Sequence, residues 1–372
     1  MSREQDIHYM QRALQLAQKG RGLTSPNPMV GCVIVNDHRI IAEGWHRRCG
    51  GAHAEAAALE LAKDAARNAV MYVTLEPCCH EGRTPPCVDR VIASGVRRVV
   101  LGSWDPNPLI SGRSIRKLRR AGITVTTGVL RGQAQALNTA FNKYIVTRTP
   151  YVTIKCAQSL DGKIATASGH SQWITSQSMR RETRRMRARY DAILVGVNTV
   201  IKDDPVLNPV PRKTPWTKVV VDSRLRISPR AKIFQNSRVI VAAVKGVSAR
   251  KIRRVERAGA EVVLTPVRRN RVDLKWLMRY LGEREITDLL IEGGGQVIGS
   301  ALRDRVVDEA MFVIAPKIIG EASALDPVVG LRTADVNRTI TLATKNIISR
   351  GGDILISGMI RYAKDKDMKE RS

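Results

Sequence analysis

Apolar positions recur at helical spacing over residues 4–19, and the pattern then changes. "MVGCVIV" is a short apolar run fit for a buried strand, and a second strand is expected around Ile40, after the turn "NDHR". From His53 the run "HAEAAALELAKDAA" consists of strong helix formers. "AVMYVTLEP" reads as the next strand and leads into "EPCCHEGRTPPC", which carries no period at all. A helix is expected over residues 85–94 with Gly95 as its stop, then the strand "RRVVLGS", a helix near residues 112–121 closed by Gly122, and the strand "ITVTTGV". This alternation predicts a layered α/β domain over residues 1–147.

Pro150, in "TRTP", forbids helix continuation and marks a boundary. Beyond it "YVTIKCA", "DAILVGV", "TKVVVDS", "RVIVAAV", "EVVLTPV", "DLLIEGG", "EAMFVIAP" and "DILISGMI" read as strands, several separated by basic helices. The last of them follow one another with little helix between, so the sheet of a second domain, residues 148–363, is expected to be mixed rather than purely parallel. No internal repeat is visible, and the polar tail "KDKDMKERS", residues 364–372, is expected to be disordered.

Composition supports two domains: 372 residues, 43% of them hydrophobic, can bury two cores. The 62 Lys and Arg against 34 Asp and Glu give a net charge of +28, which attracts phosphates of any kind. The alternative is that an Arg-rich composition only decorates solvated faces. Low aromatic content, 4%, argues against binding single strands by stacked bases. The N-terminal segment "MSREQDIHYMQRALQLAQKG" lacks the apolar core of a secretory signal, and no stretch approaches the roughly 18 apolar residues of a membrane span. A cytoplasmic location is expected, with thiols kept reduced.

Six cysteines, Cys32, Cys49, Cys78, Cys79, Cys87 and Cys156, are too unevenly spread for a disulfide scaffold. His53, Cys78 and Cys87 instead form a three-ligand set suited to tetrahedral zinc with a fourth position open to water. His53 and Glu55 can share one site only at the irregular first turn of a helix, because residues two apart in mid-helix point about 200° away from each other. Glu55, close by and not a ligand, is then the group that moves protons. Vicinal residues in an extended segment point to opposite sides, which places Cys79 outside the metal set. His80 offers a fourth protein ligand that would close the site, but its expected role is to contact substrate. Zinc-dependent nucleobase deaminases pair His-x-Glu with Pro-Cys-x-x-Cys. Here eight residues separate the two thiols instead of two.

"TSPNPMVGCVIV", "HAEAAAL", "TLEPCCHEGRTPPC", "DPNP", "KCAQSLDGKIATASGHSQWIT", "DDPVL", "VDS" and "IEGGGQVIGSAL", in this order, resemble the bacterial bifunctional riboflavin-biosynthesis deaminase/reductase family along nearly the whole chain. The resemblance implies a cytidine-deaminase-like three-layer α/β/α domain followed by a dihydrofolate-reductase-like mixed-sheet α/β domain. It implies zinc and NADPH as cofactors and a phosphorylated pyrimidine as substrate, deaminated and then reduced at its ribose, with no specific nucleic-acid or membrane partner. It leaves a homo-oligomer open. Position by position, His53, Cys78 and Cys87 match zinc ligands and Glu55 the proton donor. Ala157, Trp173, Thr199, Asp203 and Ser223 match NADP contacts, and Gly294, Gly295, Gln296, Val297, Ile298, Gly299 and Ser300 a glycine-rich phosphate loop. Ser171, Arg187, Leu207 and Glu292 match substrate contacts, and Lys155 and Asp161 would lie near the reacting sugar. A strand "DLLIE" running into "GGGQ" and a helix independently suits phosphate binding, and an always-charged guanidinium at Arg187 suits a phosphate bidentately.

The family continues "DDP.LT" with an arginine three residues after the leucine, where this chain reads "DDPVLNPVPR", making Arg212 the candidate replacement. Cys79 stands where the family commonly has serine, and Ser114 where glycine is usual. Two other classes compete. An RNA deaminase accounts for the basic charge but not for the cysteine spacing or the second domain; a zinc-stabilised nucleic-acid-binding protein leaves Glu55 and the open coordination position unexplained.

Overall fold

The structure, a computed structural model, describes residues 2–79, 86–210 and 216–363. His80, Arg212 and the polar tail therefore lie outside the described residues. The chain divides into two units, Met1–Thr149 and Pro150–Ser372.

The first unit runs α1 (Arg3–Gln18), β1 (Gly31–Asn36), β2 (Arg39–Trp45), α2 (Ala54–Ala62), β3 (Val70–Leu75), α3 (Cys87–Ala93), β4 (Arg98–Ser103), α4 (Arg113–Arg120), β5 (Thr124–Thr127), α5 (Arg131–Leu137) and α6 (Thr139–Thr147). Its sheet has the order β2-β1-β3-β4-β5. β1 is antiparallel to both neighbours, and β3, β4 and β5 are parallel. The unbroken apolar runs of β1 and β3 are explained by helices on both faces. Cys32, Ile34, Met71, Val73, Val99 and Leu101 pack with α2, α3 and α4, while Val33, Val35, Val70, Tyr72 and Val100 pack with α1 and Ala134 of α5. One buried polar knot ties α1 to this sheet: Asp6 accepts two bonds from Arg98, at 2.6 and 3.1 Å, and one from the Tyr72 hydroxyl at 2.8 Å.

The second unit runs β6 (Tyr151–Gln158), α7 (Gln177–Arg187), β7 (Ala192–Gly196), α8 (Val197–Asp203), β8 (Thr217–Val221), β9 (Arg238–Val244), α9 (Ala249–Glu256), β10 (Ala260–Thr265), β11 (Val267–Arg268), β12 (Arg271–Val272), α10 (Leu274–Gly282), β13 (Asp288–Glu292), α11 (Gly295–Arg303), β14 (Glu309–Ile314), β15 (Thr341–Arg350) and β16 (Asp353–Arg361). Nine strands form one mixed sheet of order β10-β9-β8-β7-β13-β6-β14-β16-β15. Its first seven members are parallel, and β16 and β15 add antiparallel. α10 and α11 cover one face; α8, α9 and Trp216 cover the other.

Two strand expectations change. The segment "EVVLTPV" breaks at Pro266, which has no N–H for a ladder, so β10 ends at Thr265 and a short hairpin of β11 and β12 begins. β15 was not foreseen because its residues are mostly exposed and show no clean alternation of apolar and polar positions. No helix of the described residues is long and apolar enough to cross a membrane.

Candidate active sites

In the first unit, His53 is the N-cap of α2, with extended backbone (φ −71°, ψ 162°), and Glu55 lies in the first turn. This is the irregular geometry that lets both side chains serve one site. A Cβ on Gly44 would lie 2.3 Å from the Ala54 carbonyl oxygen, so glycine allows β2 to pass against the start of α2. Cys78 follows β3, and Cys87 opens α3, its N–H directed at the Cys78 sulfur at 3.3 Å. The His53 Nδ1 lies 3.2 Å from the Cys87 Sγ and 3.6 Å from the Cys78 Sγ. Ligand atoms of all three residues fall within 4.8 Å of one another.

The contact with Cys87 holds the Cys78 thiol down to about 4, and the same contact pushes the Cys87 thiol up. Two sulfurs and an imidazole nitrogen gathered this closely fit a zinc ion, whose charge stabilises thiolates and whose tetrahedron they fill on three sides. Cys79 is outside this group and packs against the core of the unit. Glu55 is buried, and burial pushes its carboxyl up to about 7.

Three supporting groups escaped the sequence reading. His46 is buried with Nδ1 3.0 Å from the Ala52 carbonyl oxygen, and its ring meets His53 edge to face. Glu76, also buried, accepts from the Ser114 hydroxyl at 2.6 Å, Gly112 N at 3.0 Å and Asp105 N at 3.4 Å. It thereby ties the exit of β3, which leads to Cys78, to the loop before α4. Burial pushes the Asp105 carboxyl up to about 7. "DPNP" carried the only signal for Asp105, and no chemistry in the sequence distinguished it from a turn.

In the second unit a cleft of about 1320 Å³ opens at the C-terminal ends of parallel strands, where α/β sheets bind ligands. Ala157, Trp173, Thr199, Asp203, Ser223, Gly294, Gly295, Gln296, Val297 and Ser300 line it, as do Ser171, Arg187, Leu207 and Glu292. Ile298 and Gly299 do not. A helix turns them away: Ile298 lies in the core, and Gly299 sits where a Cβ would be 1.9 Å from the Val329 carbonyl oxygen. Gly294 takes φ +73° as the N-cap of α11, a conformation glycine adopts freely, and nothing but Thr199 Oγ1, at 3.4 Å, would meet a Cβ there. The first turn of α11 thus offers unobstructed backbone N–H groups to an anionic group such as the pyrophosphate of a dinucleotide.

Arg187 differs from its expected state. Its Nε and one terminal nitrogen bond Glu292 at 3.1 and 2.7 Å, so the fork meets a carboxylate instead of standing open. Burial works against the Glu292 carboxylate, and the Arg187 charge overcomes it and holds the group below its usual range. The Ser171 hydroxyl bonds Asp203, opposing the burial that raises the Asp203 carboxyl. Lys155 lines the cleft. Asp161 is engaged elsewhere: it accepts from the Ser159 hydroxyl at 2.5 Å and from Gly320 N at 2.7 Å, which clamps two loops together and, through Ser159 first, holds its carboxyl at about 2. Lys317 bonds the Trp173 carbonyl at 2.7 Å, and the Arg180 guanidinium stacks 4.4 Å from the Trp173 ring centre.

Comparison with known proteins matches each unit to a known family. Residues 3–103 match the cytidine and deoxycytidylate deaminase zinc-binding region, and residues 150–356 match the RibD C-terminal domain. The riboflavin biosynthesis protein RibD of Actinobacillus pleuropneumoniae is 43% identical over 95% of each chain, and that of Aquifex aeolicus 40% identical over 96% of this chain and 99% of its own. Acinetobacter baumannii RibD superposes with a TM-score of 0.86 at 33% identity, covering 97% of this chain and 100% of its own. A Thermotoga maritima structure described as a diaminohydroxyphosphoribosylaminopyrimidine deaminase/5-amino-6-(5-phosphoribosylamino)uracil reductase gives 0.85 at 36%, covering 97% and 99%. With a zinc-binding deaminase half and a reductase half matched end to end, the chain belongs to the RibD family of bifunctional riboflavin-biosynthesis enzymes.

Proposed function

We propose that the first unit hydrolytically deaminates 2,5-diamino-6-hydroxy-4-(5-phosphoribosylamino)pyrimidine, and that the second reduces the ribose of the product with NADPH to give 5-amino-6-(5-phosphoribitylamino)uracil. The observation that carries the first half is the convergence of His53, Cys78 and Cys87 beside buried Glu55. Zinc held there supplies the Lewis acidity that lets water lose a proton near neutral pH. Glu55 accepts that proton and delivers it to the departing amino group, so that a C–N bond breaks, a carbonyl forms and ammonia leaves. Its carboxyl, raised by burial, is matched to both tasks.

In the second unit the glycine-rich turn at Gly294 holds the cofactor's pyrophosphate, and the cofactor supplies hydride. Glu292 and Arg187 hold each other rigid at the cleft wall, and Ser171 with the remaining Arg187 N–H groups positions the sugar phosphate. The substrate is a small phosphorylated molecule, the setting cytoplasmic, and no specific nucleic-acid partner is involved. Two variants separate the halves. Glu55→Gln should keep its zinc while deamination falls by a factor of roughly 10² to 10⁴, with reduction of supplied deaminated intermediate intact. Gly294→Val should do the reverse. Full deamination by Glu55→Gln, or full NADPH binding by Gly294→Val, would remove the corresponding assignment.

A further inference from the structure

Buried Glu76 is a carboxyl group that neither proposed reaction uses. Three donors reach it from one stretch of chain. The Ser114 hydroxyl meets Oε1 at 2.6 Å, and Gly112 N and Asp105 N meet Oε2 at 3.0 and 3.4 Å. The stretch carries its own ties, because Asp105 accepts from Asn107 N at 2.8 Å and Asn107 from Leu109 N at 3.1 Å. The backbone of Glu76 is held there too, its N–H donating to the Ser103 carbonyl at 2.9 Å. Main chain and side chain of this one residue are therefore both fixed to the segment that leads from β4 into α4.

Only Pro77 separates Glu76 from Cys78, one of the three gathered ligands. The proline ring fixes its own φ and narrows the backbone choices of the residue before it, so little freedom remains between the braced carboxyl and the sulfur. On the far side, Val88 N donates to the Cys78 carbonyl at 3.1 Å, and Cys87 N is directed at the Cys78 Sγ at 3.3 Å. The protein itself thus holds Cys78 from two directions, from α3 by these bonds and from α4 through Glu76. Ser114 is this chain's own addition. It stands where the family usually has glycine, is fully buried, and supplies a hydroxyl that glycine lacks.

We propose that Glu76 is a positioning residue for the metal and that Ser114 strengthens it in this chain: together they fix Cys78 in place and so raise the affinity for zinc. The proposal rests on His53, Cys78 and Cys87 being the zinc ligands. A ligand that already stands in position gives up little conformational freedom on binding, so bracing it tightens the metal without adding a ligand.

The test is the zinc dissociation constant of the full chain, read by competition with a chromophoric chelator. Glu76→Ala should weaken zinc binding by a factor of about 10 to 100, and Glu76→Gln, whose amide oxygen can keep both backbone bonds, should recover most of that loss. Ser114→Ala, which removes only the hydroxyl, should cost a factor of about 3 to 10, and it decides the matter should Glu76→Ala not fold. Asp6→Asn loosens the buried knot on the opposite face of the same sheet, and it should lower the unfolding temperature while leaving zinc affinity unchanged. Unaltered affinity in Glu76→Ala or Ser114→Ala, no recovery in Glu76→Gln, or an equal loss in Asp6→Asn would overturn the brace. Cys78→Ser separates the two levels: if it binds zinc as tightly as the unaltered chain, the ligand set itself fails, and if it binds poorly while Glu76→Ala binds normally, the brace alone fails.

Discussion

His53 and Glu55 are two positions apart and face one site because His53 caps a helix instead of lying within it. The residue types and their spacing already pointed to zinc, since few other tasks require an imidazole, two thiols and a nearby carboxylate together. The vicinal thiols illustrate how strictly direction matters: Cys78 joins the ligand cluster, and Cys79, one residue on, packs into the core. Cys79→Ser should therefore retain about one zinc per chain by elemental analysis, following the three-ligand set, and loss of metal in that variant would make Cys79 a ligand. Other contacts were not legible. Arg187 and Glu292 were each placed in the second site, but their pairing spans 105 residues and depends on how α7 meets the end of β13. Glu76 and Asp105 lie within quoted motifs and His46 in none, but no residue pattern assigned them a role, which shows only in their burial and contacts.

Most elements were visible because buried strands read as apolar runs and helices as periodic ones; β15 was not, having exposed residues on both faces. The interior strand β8 holds a more hidden feature. Lys218 is fully buried in it, its ammonium donating to the carbonyls of Ile233 at 3.0 Å and Gln235 at 2.9 Å. Burial lowers its pKa to about 8 from an ordinary value of 10.5. Between those values the unfolded chain binds more protons than the native one, so this group's contribution to stability rises with pH. Below pH 8 the cost of burying the charge is fully present; it is relieved as pH rises toward 10.5. Urea unfolding of the second unit, followed by tryptophan fluorescence, should show the unaltered chain gaining stability relative to Lys218→Met between about pH 7.5 and 10. A constant difference would mean that Lys218 keeps its proton throughout.

At the scale of the whole molecule, the +28 charge favours anionic ligands without choosing among them. We assign the choice to placed groups: His53, Cys78, Cys87 and Glu55 in the first unit, and the glycine-rich turn at Gly294 with the Arg187–Glu292 pair in the second. A surface bias of this size leaves no mark on the fold, which is why composition alone admitted RNA as readily as a nucleotide. The measurement that bears most directly on the account is a product analysis of the purified, zinc-loaded chain given the diaminohydroxy-phosphoribosylamino-pyrimidine with and without NADPH. Without NADPH, ammonia and the ribosylamino-uracil should accumulate in equal amounts; with NADPH, the ribitylamino-uracil should replace it as one NADPH is oxidised per molecule. Unchanged pyrimidine in the absence of NADPH, or a deaminated product that NADPH leaves unreduced, would contradict the assignment of two successive reactions to this chain.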